Sequence, residues 1–207
     1  YNFKKKGVIL KIRINNRALM KIENSQVAPI VNKILIDKIN KAVKIAHDQM
    51  VSDFESHPVT KEIESGVGGW NQSGTLSGYG NLYTFIGFEE GMDPIAPIRY
   101  LLEKAISVKI MPPSQKSMVS NFLIELPSKQ EIFSASPMPW AEGRSWAEGI
   151  EKGISGLGYY LNKLSFKSRS EEGIQAKTKI RNGAFKNTKY LSNILNDLSK
   201  NIRRGVK

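Results

Sequence analysis

The sequence predicts an α+β fold in which a small mixed or antiparallel sheet packs with a long N-terminal helix, a middle helix and a C-terminal helix. Three long stretches carry apolar residues at helical spacing, and several short runs between them alternate apolar and polar residues as strands do. Of the 207 residues, 40% are hydrophobic and 24% are charged, as in ordinary globular proteins. Because no linker-like stretch divides the chain, we expect residues 1–207 to form a single domain with an extended glycine-rich loop at about 65–81.

The first strand is predicted at residues 8–14, where apolar residues end in an alternation with basic ones. The longest helix is predicted from about Ser25 to Glu55, with Pro29 in its first turn, where proline is tolerated. Its apolar face is formed by Val27, Ile30, Val31, Ile34, Ile39, Ala42, Val43, Ala46, Met50 and Phe54. This helix ends before Pro58, because the residue preceding a proline avoids the helical region, and a short helical turn is expected at 59–64.

A glycine-rich segment follows, with glycines at 66, 68, 69, 74, 78 and 80. A phosphate-binding loop needs a strand before it, a helix after it, and a Lys followed by Ser or Thr at its end. This segment lacks that ending, and residues 82–88 have a strand pattern. We therefore expect an exposed loop or hairpin that contacts a partner. Its candidate assembly residues are Trp70, Gly74, Gly78, Tyr79 and Gly80.

The sequence pattern of residues 93–126 predicts one helix and two strands. Asp93 and Pro94 have the pattern of a helix start, and the helix would bury Ile95, Ile98, Leu101, Leu102 and Ala105. Strands are predicted at 106–110 and 119–126, and residues 135–140 are expected to be irregular.

The last third is less regular. Residues 140–160 contain four glycines after Gly143, which favours a strand or ribbon ending in a glycine-rich turn over a helix. The aromatic residues of this region either pack in the core or contact a partner, and the candidates are Trp140, Trp146 and Tyr159. Residues 174–180 alternate as a strand. A final helix is expected after a cap at Asn187 or Thr188, with an apolar stripe of Leu191, Ile194, Leu195, Leu198 and Ile202.

The charge of the chain is +12, but it is unevenly distributed. Residues 1–50 carry a net charge of +8, residues 51–100 carry −5, residues 101–150 are neutral, and residues 151–207 carry +9. Such a chain can bind nucleic acid or another anionic surface, and it can equally bind a neighbouring copy, basic end to acidic middle. The lysines at 33, 38, 41 and 44 on the long helix have the same two interpretations, a solvated face or a face directed at nucleic acid.

The residue types argue against catalysis and against a cofactor or metal site. The chain has no Cys and two His, which removes cysteine nucleophiles and thiolate metal sites and leaves too few histidines for a histidine cluster. No Gly-x-Ser-x-Gly motif is present. Paired carboxylates are available among Glu62, Glu64, Glu89, Glu90 and Asp93, but they are expected to serve solubility and helix capping. No run approaches the ~20 apolar residues of a membrane span, so a soluble, intracellular product is expected.

Four stretches resemble the small neck and tail-completion proteins of tailed bacteriophages. They are His57–Thr60 after the long helix, Ser73–Phe88, Trp146–Ser155, and Phe185–Leu191 before the final helix. The chain has Lys61 where that family has a glycine, and its middle is much longer. The resemblance covers about half of the chain.

This resemblance implies a structural virion protein of the head–tail interface, such as a tail-completion, tail-terminator or connector component, assembled in the host cytoplasm. It implies a homo-oligomeric ring, commonly sixfold, with portal, connector, tail-tube or sheath proteins as neighbours and DNA passing through its channel. The basic residues that would face the channel or an acidic neighbour are Lys177, Lys179, Arg181 and Lys186. The alternatives are a nonspecific nucleic-acid-binding protein and, less favoured, a small hydrolase or nuclease.

Overall fold

The computed structural model describes residues 8–15, 27–76, 81–104, 106–111, 119–139, 141–152 and 188–206. The strand predicted at 174–180 lies outside these residues. Within them the chain is α+β, as predicted. The strands are β1 (Val8–Asn15), β2 (Ser107–Met111), β3 (Val119–Leu126), β4 (Pro137–Met138) and β5 (Ala141–Ser145). The helices are α1 (Val27–Ser56), α2 (Pro58–Glu64), α3 (Leu82–Ile86), α4 (Ala96–Lys104), α5 (Lys129–Ser134), α6 (Trp146–Lys152) and α7 (Leu191–Val206).

The main sheet has three strands in the order β1–β3–β2, and both pairings are antiparallel. Val8 lies opposite Leu126 at one end of the β1–β3 ladder, and Asn15 lies opposite Val119 at the other. Alternate residues of β3 are buried, namely Phe122, Ile124 and Leu126. Because side chains of a strand alternate between faces, this pattern identifies the core side of β3. A second sheet consists of β4 and β5.

The chain divides into two compact units. The first comprises residues 1–51, 102–128 and 195–207, and the second comprises residues 52–101 and 129–194. The buried apolar side chains of the first unit include Ile39, Val43, Ala46, Met50, Phe122, Ile124, Leu198 and Ile202. Those of the second include Phe54, Ile63, Leu82, Tyr83, Ile98, Ile132, Trp146, Ile150 and Tyr190. The apolar stripe predicted for the final helix is buried throughout.

Residues 82–88 do not form the predicted strand. Leu82–Ile86 is helix α3, because local hydrogen bonds close both of its ends. Asn81 caps the first turn by accepting a hydrogen bond from the Thr84 N–H at 2.9 Å. Gly87 ends the helix in the left-handed conformation, with φ of 88°, which glycine adopts without strain.

The prediction for residues 140–160 was also partly wrong. The strand β5 ends at Ser145, and helix α6 begins directly at Trp146 despite Gly149. The helix is favoured by burial of its inner face, where Trp146, Ala147 and Ile150 are all buried. Ser145 Oγ also accepts a hydrogen bond from the Glu148 N–H at 3.1 Å, as an N-terminal cap does. The short elements α5 and β4 were not predicted at all.

The cap of the final helix differs from the prediction for Thr188, and the other predicted cap, Asn187, lies outside the described residues. Helix α7 begins at Leu191, three residues after Thr188. The Ser192 N–H donates a hydrogen bond to Oε1 of Glu151, a residue of α6, at 2.6 Å. A carboxylate at a helix N-terminus interacts favourably with the helix dipole, so a distant acid supplies the cap that a local residue was expected to supply.

Within the second unit, the C-terminal ends of α1 and α2 meet α4 at Arg99. Its guanidinium donates to both carboxylate oxygens of Glu55, at 2.6 and 2.9 Å, and to Glu64 at 2.5 Å. These hydrogen bonds raise the pKa of Arg99 above its ordinary value. The bidentate geometry fixes the orientation of α4 at the C-terminal ends of α1 and α2.

His57 lies at the junction of α1 and α2. Its backbone is extended, and its Nδ1 accepts a hydrogen bond from the Val59 N–H at 3.2 Å, so it is the N-cap of α2. The imidazole packs against the ring of Tyr190, with ring centres 4.5 Å apart, and burial lowers the pKa of His57 below its ordinary value. The Tyr190 hydroxyl is hydrogen-bonded to that of Thr60 at 2.5 Å.

We predict that acid destabilises the second unit through His57. Because the pKa of His57 is lower in the folded chain, the unfolded chain binds the proton first as the pH falls below about 6.5. The free energy of unfolding should therefore decrease on acidification, no more steeply than about 1.4 kcal/mol per pH unit, the limit for one proton. Denaturant titrations between about pH 7 and pH 5 measure this slope.

The control is His57→Asn, because asparagine caps a helix as well as histidine does here and does not titrate. This variant should lose part of the pH dependence, whereas His47→Gln, at the other histidine of the chain, should retain the His57 contribution. Identical pH slopes for the wild type and His57→Asn would contradict the prediction.

Candidate interaction surfaces

A buried carboxylate organises the glycine-rich loop. Glu62 lies on the inner face of α2 and is 0% exposed. Its Oε2 accepts a hydrogen bond from the Ser73 N–H at 2.7 Å, and its Oε1 accepts one from the Leu82 N–H at 2.8 Å. Both carboxylate oxygens thus bind backbone groups, one within the loop and one at the start of α3. Such charge-assisted hydrogen bonds are about twice as strong as neutral ones.

Asn81 anchors the loop from the other side. Its Nδ2 lies within hydrogen-bond distance of three carbonyl oxygens, those of Gly66, Val67 and Gly69, at 3.1, 3.0 and 2.9 Å. Its Oδ1 accepts the hydrogen bond from the Thr84 N–H that caps α3. One buried side chain therefore connects the first residues of the loop to the helix that follows it.

Further hydrogen bonds lie within the loop. The Gly74 N–H donates to Oδ1 of Asn71 at 3.0 Å, and Gly74 has a φ of +65°, which favours glycine. The Ser73 and Thr75 hydroxyls lie 2.8 Å apart. The described part of the candidate assembly loop, residues 66–76, is therefore cross-linked by hydrogen bonds, and we call it the Trp70 loop.

Trp70 is the most prominent side chain of this loop. It is 83% exposed, and it borders a shallow depression of about 490 Å³ that Asn71, Asn81 and Thr84 also line. An exposed tryptophan on a loop that is already ordered loses little further freedom on binding, and tryptophan is enriched among the residues that dominate protein interfaces. The Trp70 loop is thus suited to docking against another protein.

A second surface lies between α1 and α7 in the first unit. Lys38, Lys41 and Arg204 are exposed around a floor of small residues, and Ile45 is 61% exposed beside them. The floor residues are Ala42, Ala46 and Gly205. We call this surface, with a volume of about 510 Å³, the basic groove.

The two helices that form the basic groove approach closely at Gly205. A Cβ atom at this position would lie 2.9 Å from the Cβ of Ala42, which is closer than such atoms normally approach. Among the residues lining the groove none is acidic, and within the described chain Lys38, Lys41 and Arg204 make no ion pair. The groove therefore combines an apolar floor with unneutralised positive charge.

The structure places few of the other predicted site residues. Trp146 is only 1% exposed, so it is a core residue and not an interface aromatic. Its ring meets that of Phe88 edge-on, with centres 6.0 Å apart. The remaining candidates lie outside the described residues, namely Gly78, Tyr79, Gly80, Trp140, Tyr159, Lys177, Lys179, Arg181 and Lys186.

The acidic residues have more varied roles than the sequence predicted. Asp93 caps α4, since its Oδ1 accepts from the Ile95 and Ala96 N–H groups at 3.1 and 3.0 Å. Glu64 pairs with Arg99, and Glu62 is buried instead of solvating the surface. The three- and four-residue spacing of Glu62 and Ile63 from Val59 places Glu62 on the apolar face of α2. This spacing is the feature of the sequence that indicates its burial. In the described chain no three His, Asp or Glu residues are arranged to hold a metal ion.

Comparison with known proteins found no matching family model, no matching curated protein and no matching solved structure. The resemblance to phage neck proteins therefore stays a prediction from the sequence. Of the helices in the described residues, none combines the length and the apolar character that crossing a membrane requires.

We predict that Asn81→Asp releases the Trp70 loop while keeping the cap of α3. Aspartate accepts from the Thr84 N–H as asparagine does, but it has no N–H to donate, and its charge would face the carbonyl oxygens of the loop. We expect a loss of about 1–3 kcal/mol in the free energy of unfolding. Faster amide hydrogen exchange at residues 66–76 would locate the effect, and Asn196→Asp, at an exposed site, is the matched control. Unchanged exchange in the loop would contradict the prediction.

We predict that Glu62→Gln is more destabilising than Glu64→Gln. Glutamine keeps the shape of Glu62 but can accept with one oxygen only, so its amide group would face a backbone N–H. The expected loss is about 2–3 kcal/mol, against less than about 1 kcal/mol for Glu64, whose pair with Arg99 is partly exposed. Urea unfolding of both variants at neutral pH measures the difference, and equal losses would show that Glu62 does not organise the loop.

Proposed function

We propose that this chain is a structural component of the head–tail interface of a tailed-bacteriophage virion, a neck, tail-completion or tail-terminator protein that assembles into an oligomeric ring. The observation that carries the assembly role is the Trp70 loop, which presents an 83% exposed tryptophan on a backbone held by Glu62 and Asn81. An ordered loop with an exposed aromatic side chain fits a docking element. The resemblance of four stretches of the sequence supports the virion class.

The distribution of charge supports assembly as well. A chain with basic ends and an acidic middle can bind copies of itself, because opposite charges on two copies attract each other. Ring neighbours in this proposal are the portal or connector on one side and the tail tube or sheath on the other.

Nonspecific nucleic-acid binding is the alternative, and one observation favours it. The lysines at 33, 38, 41 and 44 are all exposed on α1, as a phosphate-binding face requires. If this is the function, affinity for duplex DNA falls steeply with salt, and the chain has no need to form rings.

We predict that the purified protein self-associates into closed rings and that Trp70→Ala weakens this association at least about tenfold. The physical reason is that the variant lacks the aromatic side chain that the interface would bury. Sedimentation velocity and negative-stain microscopy measure the self-association. Gln72→Ala is the matched control, since it removes an exposed side chain of the same loop and keeps the backbone hydrogen bond between residues 70 and 72.

A chain that stays monomeric at all concentrations and binds no portal or tail-tube protein would refute the proposed function. Salt-sensitive DNA binding by such a monomer would favour the alternative instead. Rings that persist unchanged in Trp70→Ala would remove the Trp70 loop from the interface.

A further inference from the structure

We propose that the basic groove of one copy of the chain binds the acidic turn of a second copy, where the acidic turn is defined as Glu89–Asp93. This inference deepens the proposed function, because it assigns one subunit contact of the assembly, in addition to that of the Trp70 loop, to two particular surfaces. It rests on the self-association that the proposed function requires.

The acidic turn is a hydrogen-bonded turn within the second unit. The Met92 N–H donates to the Glu89 carbonyl oxygen at 3.1 Å, and Gly91, with φ of +86°, occupies the position that demands a glycine in this kind of turn. The Tyr83 hydroxyl lies within hydrogen-bond distance of the carbonyl oxygens of Glu89 and Met92, the latter at 3.0 Å. The backbone of the turn is thus hydrogen-bonded to the buried Tyr83.

The turn presents an apolar side chain surrounded by acids. Met92 is 48% exposed at its tip, which is unusual for a large apolar side chain, and Glu89, Glu90 and Asp93 are exposed around it. Methionine is flexible and fills irregular apolar clefts well. The turn therefore offers one exposed apolar group next to the exposed carboxylate of Glu90, within an acidic segment.

The basic groove is the complement of this arrangement. It offers an apolar floor with Ile45 at its edge, and the positive charges of Lys38, Lys41 and Arg204. Lys38, Lys41 and Ile45 follow each other at three- and four-residue spacing, so they share one face of α1. An apolar tip meets an apolar floor, and the exposed carboxylate of Glu90 meets the cations around the groove, so apolar contact and opposite charge act together in one docking event.

The contact joins two different patches, so it is heterologous and repeats from copy to copy. Such contacts close into rings when the rotation between neighbours permits and otherwise continue as filaments. Burying the exposed Ile45 and Met92 against each other gives the contact its apolar centre, while the charges at the rim select the partner and the register.

The absence of cysteine from the chain allows a direct test. Two single-cysteine variants, Ile45→Cys and Met92→Cys, are mixed and oxidised mildly, so that every disulfide formed must join two molecules. We expect the mixed dimer to exceed both like-with-like dimers by about tenfold, since only the mixed pair is brought together by docking. Gln72→Cys mixed with Ile45→Cys is the matched control, and no enrichment is expected for it.

A charge exchange tests the same contact without cysteine. Lys41→Glu alone and Glu90→Lys alone should each weaken self-association about tenfold, and mixing the two variants should restore it. All of these side chains are exposed, and circular dichroism checks that the fold is kept.

The outcomes separate this inference from the proposed function. Self-association that survives both charge reversals, with no enrichment of the mixed disulfide, would overturn the inference and leave the ring function standing. A monomeric wild type with no mixed disulfide would overturn both. Loss of DNA binding in Lys41→Glu, with no enrichment of the mixed disulfide, would assign the groove to nucleic acid and likewise overturn the inference.

Discussion

The buried carboxylate of Glu62 is the interaction on which the second unit depends most. It lies on the inner face of a seven-residue helix and accepts hydrogen bonds from backbone groups 11 and 20 residues further along the chain. A buried charge is costly unless it is hydrogen-bonded, so the helix, the loop and α3 must fold together to satisfy it. The conformation of the Trp70 loop is a consequence of this requirement, and Asn81 completes it by binding three loop carbonyls.

Other side chains of the same unit connect pairs of its helices. Arg99 joins the ends of α1 and α2 to α4, and Glu151 of α6 binds the first turn of α7. Tyr190 lies between Thr60 and the rings of Phe54 and His57. Burial raises the pKa of its hydroxyl above the ordinary value. These contacts connect the helices next to the exposed loop and the acidic turn, and a preorganised surface loses less freedom on docking.

The positions of the elements were predicted accurately where the pattern is long and periodic, although Ile34, predicted on the apolar face of the long helix, is 62% exposed. The long helix, the strands on each side of residue 115, and the apolar stripe of the final helix all lie where predicted. It failed at residues 82–88, where a short apolar run between glycines has no distinguishable period. The sequence Asn81-Leu82-Tyr83-Thr84 with Gly87 does carry the signals of a helix N-cap and C-cap, and these outweighed the strand-forming residues. At residues 146–152 the burial of Trp146 outweighed the low helix propensity of Gly149.

For the candidate site, the sequence alone identified a glycine-rich loop suited to contacts, an exposed row of lysines, and a charge pattern of basic ends with an acidic middle. These are properties of composition and local spacing, and they need no knowledge of which residues meet. Only the tertiary structure decided that Glu62 is buried, that Asn81 tethers the loop, and that Lys38, Lys41 and Arg204 surround one groove. The physical reason is that each of these arrangements depends on partners distant in the chain, and whether a polar side chain is buried follows from the hydrogen bonds that those partners supply.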